Sequence, residues 1–272
     1  MPQSEASSNL PEVLAAVLTP LAADGGVDQE ALRAHVRSLV AAGIDGVLVA
    51  GTTGEGPLLD DGEVLAAVEA AVGETRVVAH VGRPSTAATA RLAGRALEAG
   101  ADEVSAVVPY YYGLDDERLR AHFLELVDAV APRRLLAYAI PERTVNDLSP
   151  DLVERLAGSG LAGLKDSTKS LERHEEYLAV ARRHSGFRVY MGSDGLALDA
   201  LERGASGLIS AIANVRPELV VALRDALGGD HARELQGELL AVRAEARGIP
   251  ALKRLVAERL EGYPIAARPP LG

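Results

Sequence analysis

The amino-acid sequence predicts an α/β fold, a (β/α)8 TIM barrel with extra C-terminal helices. Short apolar runs alternate with longer amphipathic runs, the alternation occurs eight times, and the apolar runs are unbroken. Unbroken apolar strands are typical of a parallel sheet with both faces buried. Eight parallel strand–helix units close most naturally into a barrel, and a chain of 272 residues is of the usual size for one.

The eight units follow one another from residue 12 onward. In the first unit, helical spacing follows Thr19-Pro20, with Asp28 as the N-cap and Gly43 as the stop. A doubly wound open sheet is the competing fold, but it needs a glycine-rich nucleotide loop after the first strand, and Thr-Pro-Leu stands there instead. The predicted strands are 13–18, 46–50, 76–81, 103–108, 134–138, 161–165, 187–191 and 207–211. The predicted helices are 28–42, 60–72, 86–99, 115–130, 150–157, 170–184, 194–203 and one beginning at about residue 217.

The sequence predicts a single domain without a linker. Residues 1–11 are expected to form a flexible tail, and its polar, Ser-rich beginning lacks the basic-then-apolar order of a signal peptide, so we expect a cytoplasmic protein. Residues 12–215 are predicted to form the barrel. Residues 216–272 are predicted to supply its last helix and a helical extension of the same domain, which either pads the barrel or builds a subunit interface.

Composition excludes several classes of function. The net charge is −11 and no basic stretch interrupts it, so the surface should repel nucleic-acid phosphates and anionic membranes. The chain has no cysteine, which excludes disulfides, thiolate nucleophiles and cysteine-based metal sites. No apolar run approaches the ~20 residues of a membrane helix. We therefore expect neither nucleic acid nor membrane as a partner.

Polar residues at the carboxyl ends of the strands are the candidates for function, because barrel enzymes place their active sites there. The second strand is followed by Gly51-Thr52-Thr53-Gly54-Glu55-Gly56. Its hydroxyls and glycine-flanked N–H groups can cradle a carboxylate. On this motif alone, a turn with a helix-capping threonine is an equally good interpretation.

Tyrosines cluster at two other strand ends. Four of the seven tyrosines lie there, namely Tyr110, Tyr111, Tyr112 and Tyr138. Any one of them is most simply a packing residue with a hydrated hydroxyl. Four together, in a chain with only 3% aromatic residues, favour a phenolic proton relay.

The sixth strand ends at Lys165, which is the most informative position. The chain has 25 Arg but only three Lys, at 165, 169 and 253. Where only a positive charge is needed, this chain therefore uses Arg. Desolvation favours the neutral form of a buried lysine, and a neutral amine attacks carbonyls whereas guanidinium does not. The competing interpretation is a buried lysine paired with an acid such as Asp166 or Glu55.

The remaining polar positions give weaker signals. Asp194 supplies a contact at the end of the seventh strand or caps the next helix. His80 is the only histidine near a strand end and is interpreted as structural. The six histidines show no metal-ligand spacing, so we expect no metal site, although barrels can assemble ligands from distant strands.

Taken together, these residues resemble the dihydrodipicolinate synthase / N-acetylneuraminate lyase family of class I, pyruvate-dependent lyases. The resemblance extends from about residue 12 to Gly272. Three motifs carry it in family order and spacing: Gly51-Thr52-Thr53-Gly54-Glu55, Tyr138-x-x-Pro141 and Gly163-Leu164-Lys165-Asp166. Two further motifs agree: Pro109-Tyr110-Tyr111 and Arg268-Pro269-Pro270-Leu271.

The resemblance implies a covalent Schiff base between Lys165 and pyruvate, with no cofactor. Tyr138 would shuttle protons, and Thr52 would link it to Tyr111, which in the family often reaches into a neighbouring subunit. A homo-oligomer, tetramer or dimer, is implied. The implied substrate-binding residues are Gly51, Thr53, Arg143, Gly192 and Ile209.

The second substrate is less well determined. Arg143 resembles the arginine with which dihydrodipicolinate synthases bind the aldehyde carboxylate, which favours an aldehyde such as aspartate semialdehyde. Ala139 and Tyr112 each replace an Asn usual in the family, and Gly-Leu-Lys-Asp-Ser is closer to 2-keto-3-deoxy sugar-acid aldolases. These departures also leave open a barrel that binds keto acids without catalysis. A metal-dependent aldolase is disfavoured by the absent ligand spacing.

Overall fold

A computed structural model describes residues 10–272 of the chain. Nine residues of the predicted tail, 1–9, lie outside the described part. Eight parallel strands form a closed barrel in sequence order, which confirms the predicted fold class. The strands are β1 Glu12–Ala16, β2 Gly46–Val49, β3 Arg76–His80, β4 Glu103–Val107, β5 Arg134–Ala139, β6 Gly163–Asp166, β7 Arg188–Met191 and β8 Gly207–Ser210.

Helices alternate with the strands, and two more follow the barrel. Within residues 10–272 the α-helices are α1 Gln29–Ala41, α2 Asp61–Ala71, α3 Thr86–Glu98, α4 Asp116–Val130, α5 Pro150–Ala157, α6 Leu171–Arg183, α7 Ala197–Glu202, α8 Pro217–Asp225, α9 Ala232–Glu245 and α10 Ile249–Arg259. Asp28 caps α1 by accepting from the Ala31 N–H, and Gly43 follows with a φ of +92°, as the sequence predicts. None of these helices combines the length and the hydropathy that crossing a bilayer requires.

One predicted helix is shorter than expected. Residues 194–203 divide into a 3-10 turn, Asp194–Leu196, and α7. Asp194 does not cap this helix, because its carboxylate accepts hydrogen bonds from the Ser210 hydroxyl and the Ile212 N–H after β8. The side chain therefore joins two neighbouring strand ends instead of starting a helix.

Two apolar layers hold the barrel together. The large layer lies between the strands and the helices, and a smaller one fills the barrel interior with Leu14, Ala16, Leu48, Val78, Leu136, Tyr190 and Ile209. Side chains two apart on a strand share a face, so Tyr138, two residues beyond Leu136, also faces the interior. In the strand register, Tyr138 lies opposite Lys165. The pattern that builds the core thus also directs these two residues to the barrel mouth.

The amino end of the barrel is closed by a charged network. Arg76 makes a two-point ion pair with Glu12, with N–O distances of 2.9 and 3.0 Å. Arg188 donates to Glu103, and the Tyr190 hydroxyl donates to Glu12. Burial opposes ionisation of Glu12, but the bonds from Tyr190 and Arg76 outweigh it and hold the pKa of Glu12 below its ordinary value.

Candidate active site

Lys165 lies at the carboxyl end of β6 and is 4% exposed. Its amine lies 4.5 Å from the centre of the Tyr138 ring, on the neighbouring strand. Within residues 10–272, no carboxylate oxygen lies within 4 Å of this amine. A buried cation normally has an anionic partner, and this departure makes Lys165 the candidate for the reactive group.

Both acids proposed as partners of Lys165 are engaged elsewhere. Glu55 pairs with Lys253 at 2.6 Å, and both side chains are fully buried. Asp166 accepts hydrogen bonds from the Thr168 backbone and hydroxyl and lies 2.8 Å from Nδ1 of His174. The interpretation of Lys165 as half of a buried ion pair is therefore wrong.

Thr52 lies beside the Tyr138 phenol. The two hydroxyl oxygens are 3.3 Å apart, and either hydroxyl can donate the hydrogen bond to the other. The loop that carries Thr52 is tightly folded, because Glu55 has a φ of +61° and a Cβ at Gly56 would lie 1.8 Å from the Ala50 carbonyl. The glycines of the motif thus permit the tight backbone turn, and the threonine side chains face the barrel mouth.

A cavity of about 220 Å³, here called the catalytic cavity, lies above Lys165. Seven of the nine predicted site residues line it: Thr52, Thr53, Tyr138, Arg143, Lys165, Gly192 and Ile209. A Cβ at position 192 would lie 2.9 Å from Cε of Lys165 and 2.2 Å from the Ser167 hydroxyl. Glycine is therefore needed at position 192 to leave room beside the amine.

The structure does not bring the two other predicted residues to this cavity. Gly51 is buried beneath the loop, where a Cβ would lie 2.5 Å from the Leu48 side chain. Tyr111 is 72% exposed and stacks edge-to-face on Tyr112, with 5.0 Å between the ring centres. Thr52 therefore contacts Tyr138 but not Tyr111 within one copy of the chain.

Several lining residues were not singled out by the sequence. Arg243 reaches the catalytic cavity from α9, and Lys169 reaches it from the loop after β6, where it pairs with Glu142. Arg143 and Arg243 are cations of this lining, and Glu142 and Asp194 are its carboxylates. No local pattern marks Arg243, since a helix outside the repeats carries it.

Asp194 also lines the catalytic cavity, at its edge. Burial raises the pKa of this carboxyl above its ordinary value, and the hydrogen bond from Ser210 opposes that rise. Gln236 of α9 donates to the Asp194 carbonyl at 3.1 Å. The extra helix α9 therefore packs against the carboxyl end of the barrel and supports the site from outside.

A second cavity of about 420 Å³, here called the apolar lobe, adjoins the first. The two share Thr52, Tyr138, Ile140 and Arg143. The remaining wall of the lobe is mainly apolar and includes Pro57, Leu58, Val107, Tyr110, Ile249, Pro270 and Leu271, with His80 among them. The site therefore has a polar compartment at Lys165 and an apolar one beside Tyr138.

Glu55 holds the wall of the apolar lobe together. Besides the Lys253 ammonium, it accepts a hydrogen bond of 2.6 Å from the Arg268 backbone N–H. Burial lowers the pKa of Lys253, and Glu55 opposes that shift. One carboxylate thus links the threonine loop, α10 and the segment that places Pro270 and Leu271 over the lobe.

No group of three or more His, Cys, Asp or Glu side chains within residues 10–272 has a geometry suited to a metal ion.

Comparison with known proteins relates the whole chain to one family. The model of the dihydrodipicolinate synthetase family matches residues 9–271. An uncharacterized DapA-like lyase of Halobacterium salinarum is 40% identical over 89% of this chain and 79% of its own length. A 4-hydroxy-tetrahydrodipicolinate synthase of Thiobacillus denitrificans is 39% identical over 76% of this chain and 71% of its own.

Solved structures give the same result. YagE of E. coli, a protein of the dihydrodipicolinic acid synthase family crystallised with pyruvate, superimposes with a TM-score of 0.92 at 26% identity, covering 96% of this chain and 92% of YagE. KD(P)GA of T. tenax superimposes with a TM-score of 0.87 at 31% identity, with the same coverage. The chain therefore belongs to the dihydrodipicolinate synthetase family, whose members are cofactor-free class I aldolases and lyases that form a lysine Schiff base with the substrate.

Proposed function

We propose that the protein condenses pyruvate with an aldehyde, or cleaves the resulting product, through a Schiff base on Lys165. The observation that carries the proposal is the environment of this amine. It is buried at the end of β6 against the Tyr138 ring, and no carboxylate of residues 10–272 lies within 4 Å. An amine without a counter-ion, beside a phenol that can move protons, suits carbonyl addition.

In the proposed reaction, the Lys165 nitrogen adds to the keto carbon of pyruvate, and water leaves as the iminium forms. The pyruvate methyl group then loses a proton and gives an enamine. The enamine carbon attacks the aldehyde carbon, and the aldehyde oxygen takes up a proton. Hydrolysis of the iminium releases the product and restores the amine, and cleavage follows the same steps in reverse.

Tyr138 is proposed to take and return these protons. Its support is the ring contact with Lys165 and the Thr52 hydroxyl at 3.3 Å. Thr52 and Thr53, through their backbone and hydroxyl groups, are proposed to hold the pyruvate carboxylate, and both line the catalytic cavity.

Gly192 and Ile209 are proposed to flank the bound pyruvate through their backbone. Both line the catalytic cavity, and Gly192 lies against Lys165.

The second substrate is proposed to be an anionic aldehyde such as aspartate semialdehyde, as in a 4-hydroxy-tetrahydrodipicolinate synthase. Arg143 and Arg243 in the cavity wall support an anion there, because an acidic chain needs local cations to attract one. The curated synthase relative supports the same activity.

A 2-keto-3-deoxy sugar-acid aldolase is the second candidate function. It is favoured by Ala139, by Tyr112 and by the similarity to KD(P)GA. Kinetics with pyruvate against aspartate semialdehyde and against glyceraldehyde, in both directions, separates the two candidates. A higher kcat/KM for aspartate semialdehyde than for glyceraldehyde supports the synthase, and the reverse order supports the aldolase.

We further propose a homo-oligomer, tetramer or dimer, in which a second copy supplies Tyr111 to the Thr52–Tyr138 pair. Tyr111 and Tyr112 are 72% and 71% exposed, and large aromatic side chains so exposed are typical of interface residues. Sedimentation velocity should give a species larger than one chain. Activity per chain should fall on dilution to the concentration at which that species dissociates, and a fully active monomer would contradict the proposal.

Trapping tests the Schiff base itself. Pyruvate and borohydride should give a reduced adduct on Lys165, identified by mass spectrometry of peptides. Lys169 and Lys253 are internal controls, since Lys169 lines the same cavity and Lys253 is buried against Glu55. An intact protein mass without adduct, or an adduct confined to either control lysine, would refute the proposal.

A further inference from the structure

His80 is a buried polar residue that the proposed mechanism does not use. It ends β3, is 4% exposed and meets the Tyr138 ring edge-to-face, with 5.7 Å between ring centres and an interplanar angle of 89°. It lines the apolar lobe together with Thr52 and Arg143. The side chain therefore lies inside the barrel mouth, at the junction with the residues around Lys165.

His80 differs from the five other histidines in its hydrogen bonding. Each of the others has a partner for one ring nitrogen: His35 with Asn214, His122 with Thr86, His174 with Asp166, His184 with Glu154 and His231 with Glu234. Neither nitrogen of His80 has a partner within residues 10–272, and its Nδ1 is fully buried. Buried polar groups normally have hydrogen-bond partners, so an imidazole that lacks one and faces a cavity indicates a residue that binds a molecule in that cavity.

Gly82 leaves the other ring nitrogen of His80 uncovered. A Cβ at position 82 would lie 3.1 Å from Nε2 of His80 and 2.7 Å from the Val107 side chain. Gly82 and Val107 both belong to the wall of the apolar lobe. The absence of a side chain at position 82 thus keeps the Nε2 side of the ring open to the lobe.

The His80 ring is neutral at neutral pH. Burial, together with the charges of Lys165 and Arg83, lowers the pKa of His80 to about 3. A neutral imidazole carries one proton, on either nitrogen. Placing it on Nδ1 would bury an unpaired N–H group, so the proton belongs on Nε2, where it faces the lobe.

We propose that His80 is a substrate-binding residue whose Nε2–H donates a hydrogen bond to an oxygen of the second substrate, and that it favours aldehydes that carry a further oxygen group, hydroxyl or carboxylate, besides the reacting carbonyl. The inference rests on the proposed function, because it assumes that an enamine on Lys165 attacks an aldehyde. Tyr138 borders both cavities, so a small substrate bound beside Lys165 can extend from the catalytic cavity into the apolar lobe that His80 lines.

A matched pair of aldehydes tests this role. Glyceraldehyde carries hydroxyls beside its carbonyl, whereas propionaldehyde has the same carbon chain without them. With pyruvate, the wild type should prefer glyceraldehyde in kcat/KM. His80→Phe, which keeps an aromatic ring against Tyr138, should reduce that preference by about tenfold, the worth of one neutral hydrogen bond. His80→Gln, which keeps an N–H donor, should retain part of the preference.

His122→Phe is the control variant. His122 is also 4% exposed and also has a pKa lowered by burial, to about 4, but it lies on α4 outside the barrel. It should keep the wild-type preference. If His80→Phe traps pyruvate on Lys165 and keeps the full preference for glyceraldehyde, the assignment of His80 is wrong while the proposed function stands. If the wild type itself forms no adduct, the proposed function fails first.

Discussion

At the amino end of the barrel two partly buried arginines are paired with carboxylates, whereas at the carboxyl end the amine of Lys165 is not. Arg76 and Arg188 contact Glu12 and Glu103, and the Tyr190 hydroxyl completes the network. Lys165 lies instead against an aromatic ring.

The two ends of one barrel therefore differ in how their charged side chains are paired. At one end opposite charges are matched, which stabilises the fold. At the carboxyl end Lys165 has no such partner, which is the basis for its proposed role as the nucleophile.

Lys165→Arg should abolish turnover, which is the largest expected effect. The substitution keeps the positive charge but removes the nucleophile, since guanidinium does not form a Schiff base. Turnover with pyruvate and aldehyde should fall to the level of buffer, and borohydride should trap nothing. Circular dichroism should show a folded protein. Measurable turnover in this variant would overturn the mechanism.

Tyr138→Phe should slow turnover by ~10²–10⁴-fold, the usual contribution of one acid–base group. The ring contact with Lys165 is kept, and only the hydroxyl that faces Thr52 is lost. Tyr177→Phe is the control, because Tyr177 is a buried tyrosine whose hydroxyl donates to the Leu148 carbonyl, away from the catalytic cavity. Equal rates for Tyr138→Phe and wild type would remove Tyr138 from the relay.

Arg188→Met should destabilise the fold by about 3 kcal/mol, because it leaves the largely buried Glu103 without its main partner. Urea unfolding measures the change, and kcat and KM should stay near wild type, since Arg188 lies at the amino end. Arg182→Met is the control, because Arg182 and Glu175 form an exposed pair worth about 1 kcal/mol or less. A large loss of activity without loss of stability would contradict the comparison.

Glu12 should give the smallest effect, visible as a dependence of stability on pH. Its pKa in the folded protein lies below the ordinary 4.5, so its stabilising contribution is complete above that value and is lost as the pH falls through the folded pKa. Between pH 6 and pH 3, the free energy of unfolding should fall less in Glu12→Gln than in wild type. Identical pH slopes would show that Glu12 does not contribute.

Much of the fold could be predicted because its signals are local. Apolar periodicity and capping residues such as Asp28 act over a few neighbouring positions. Once eight parallel strands are assumed, the strand ends converge, and Lys165, Tyr138 and Thr52 come together as expected. The prediction for Tyr111 concerns a second copy of the chain and stays a prediction.

Other features depend on residues far apart in the chain. Asp194 looks like a helix cap in sequence, but its carboxylate bonds to residues after β8. His80 looks structural until its missing hydrogen-bond partners and the open space at Gly82 are known. Arg243 belongs to no repeat, and only the packing of α9 brings it to the cavity.

The sequence by itself determined the barrel and the placement of Lys165 and Tyr138 at its mouth, because strand periodicity fixes which side chains face inward. Only the tertiary structure decided which charges are neutralised. Glu55 pairs with Lys253 and Asp166 with His174, so neither reaches Lys165. Such pairing depends on distances between distant segments, which periodicity does not encode, and it distinguishes the paired Lys253 from the unpaired Lys165.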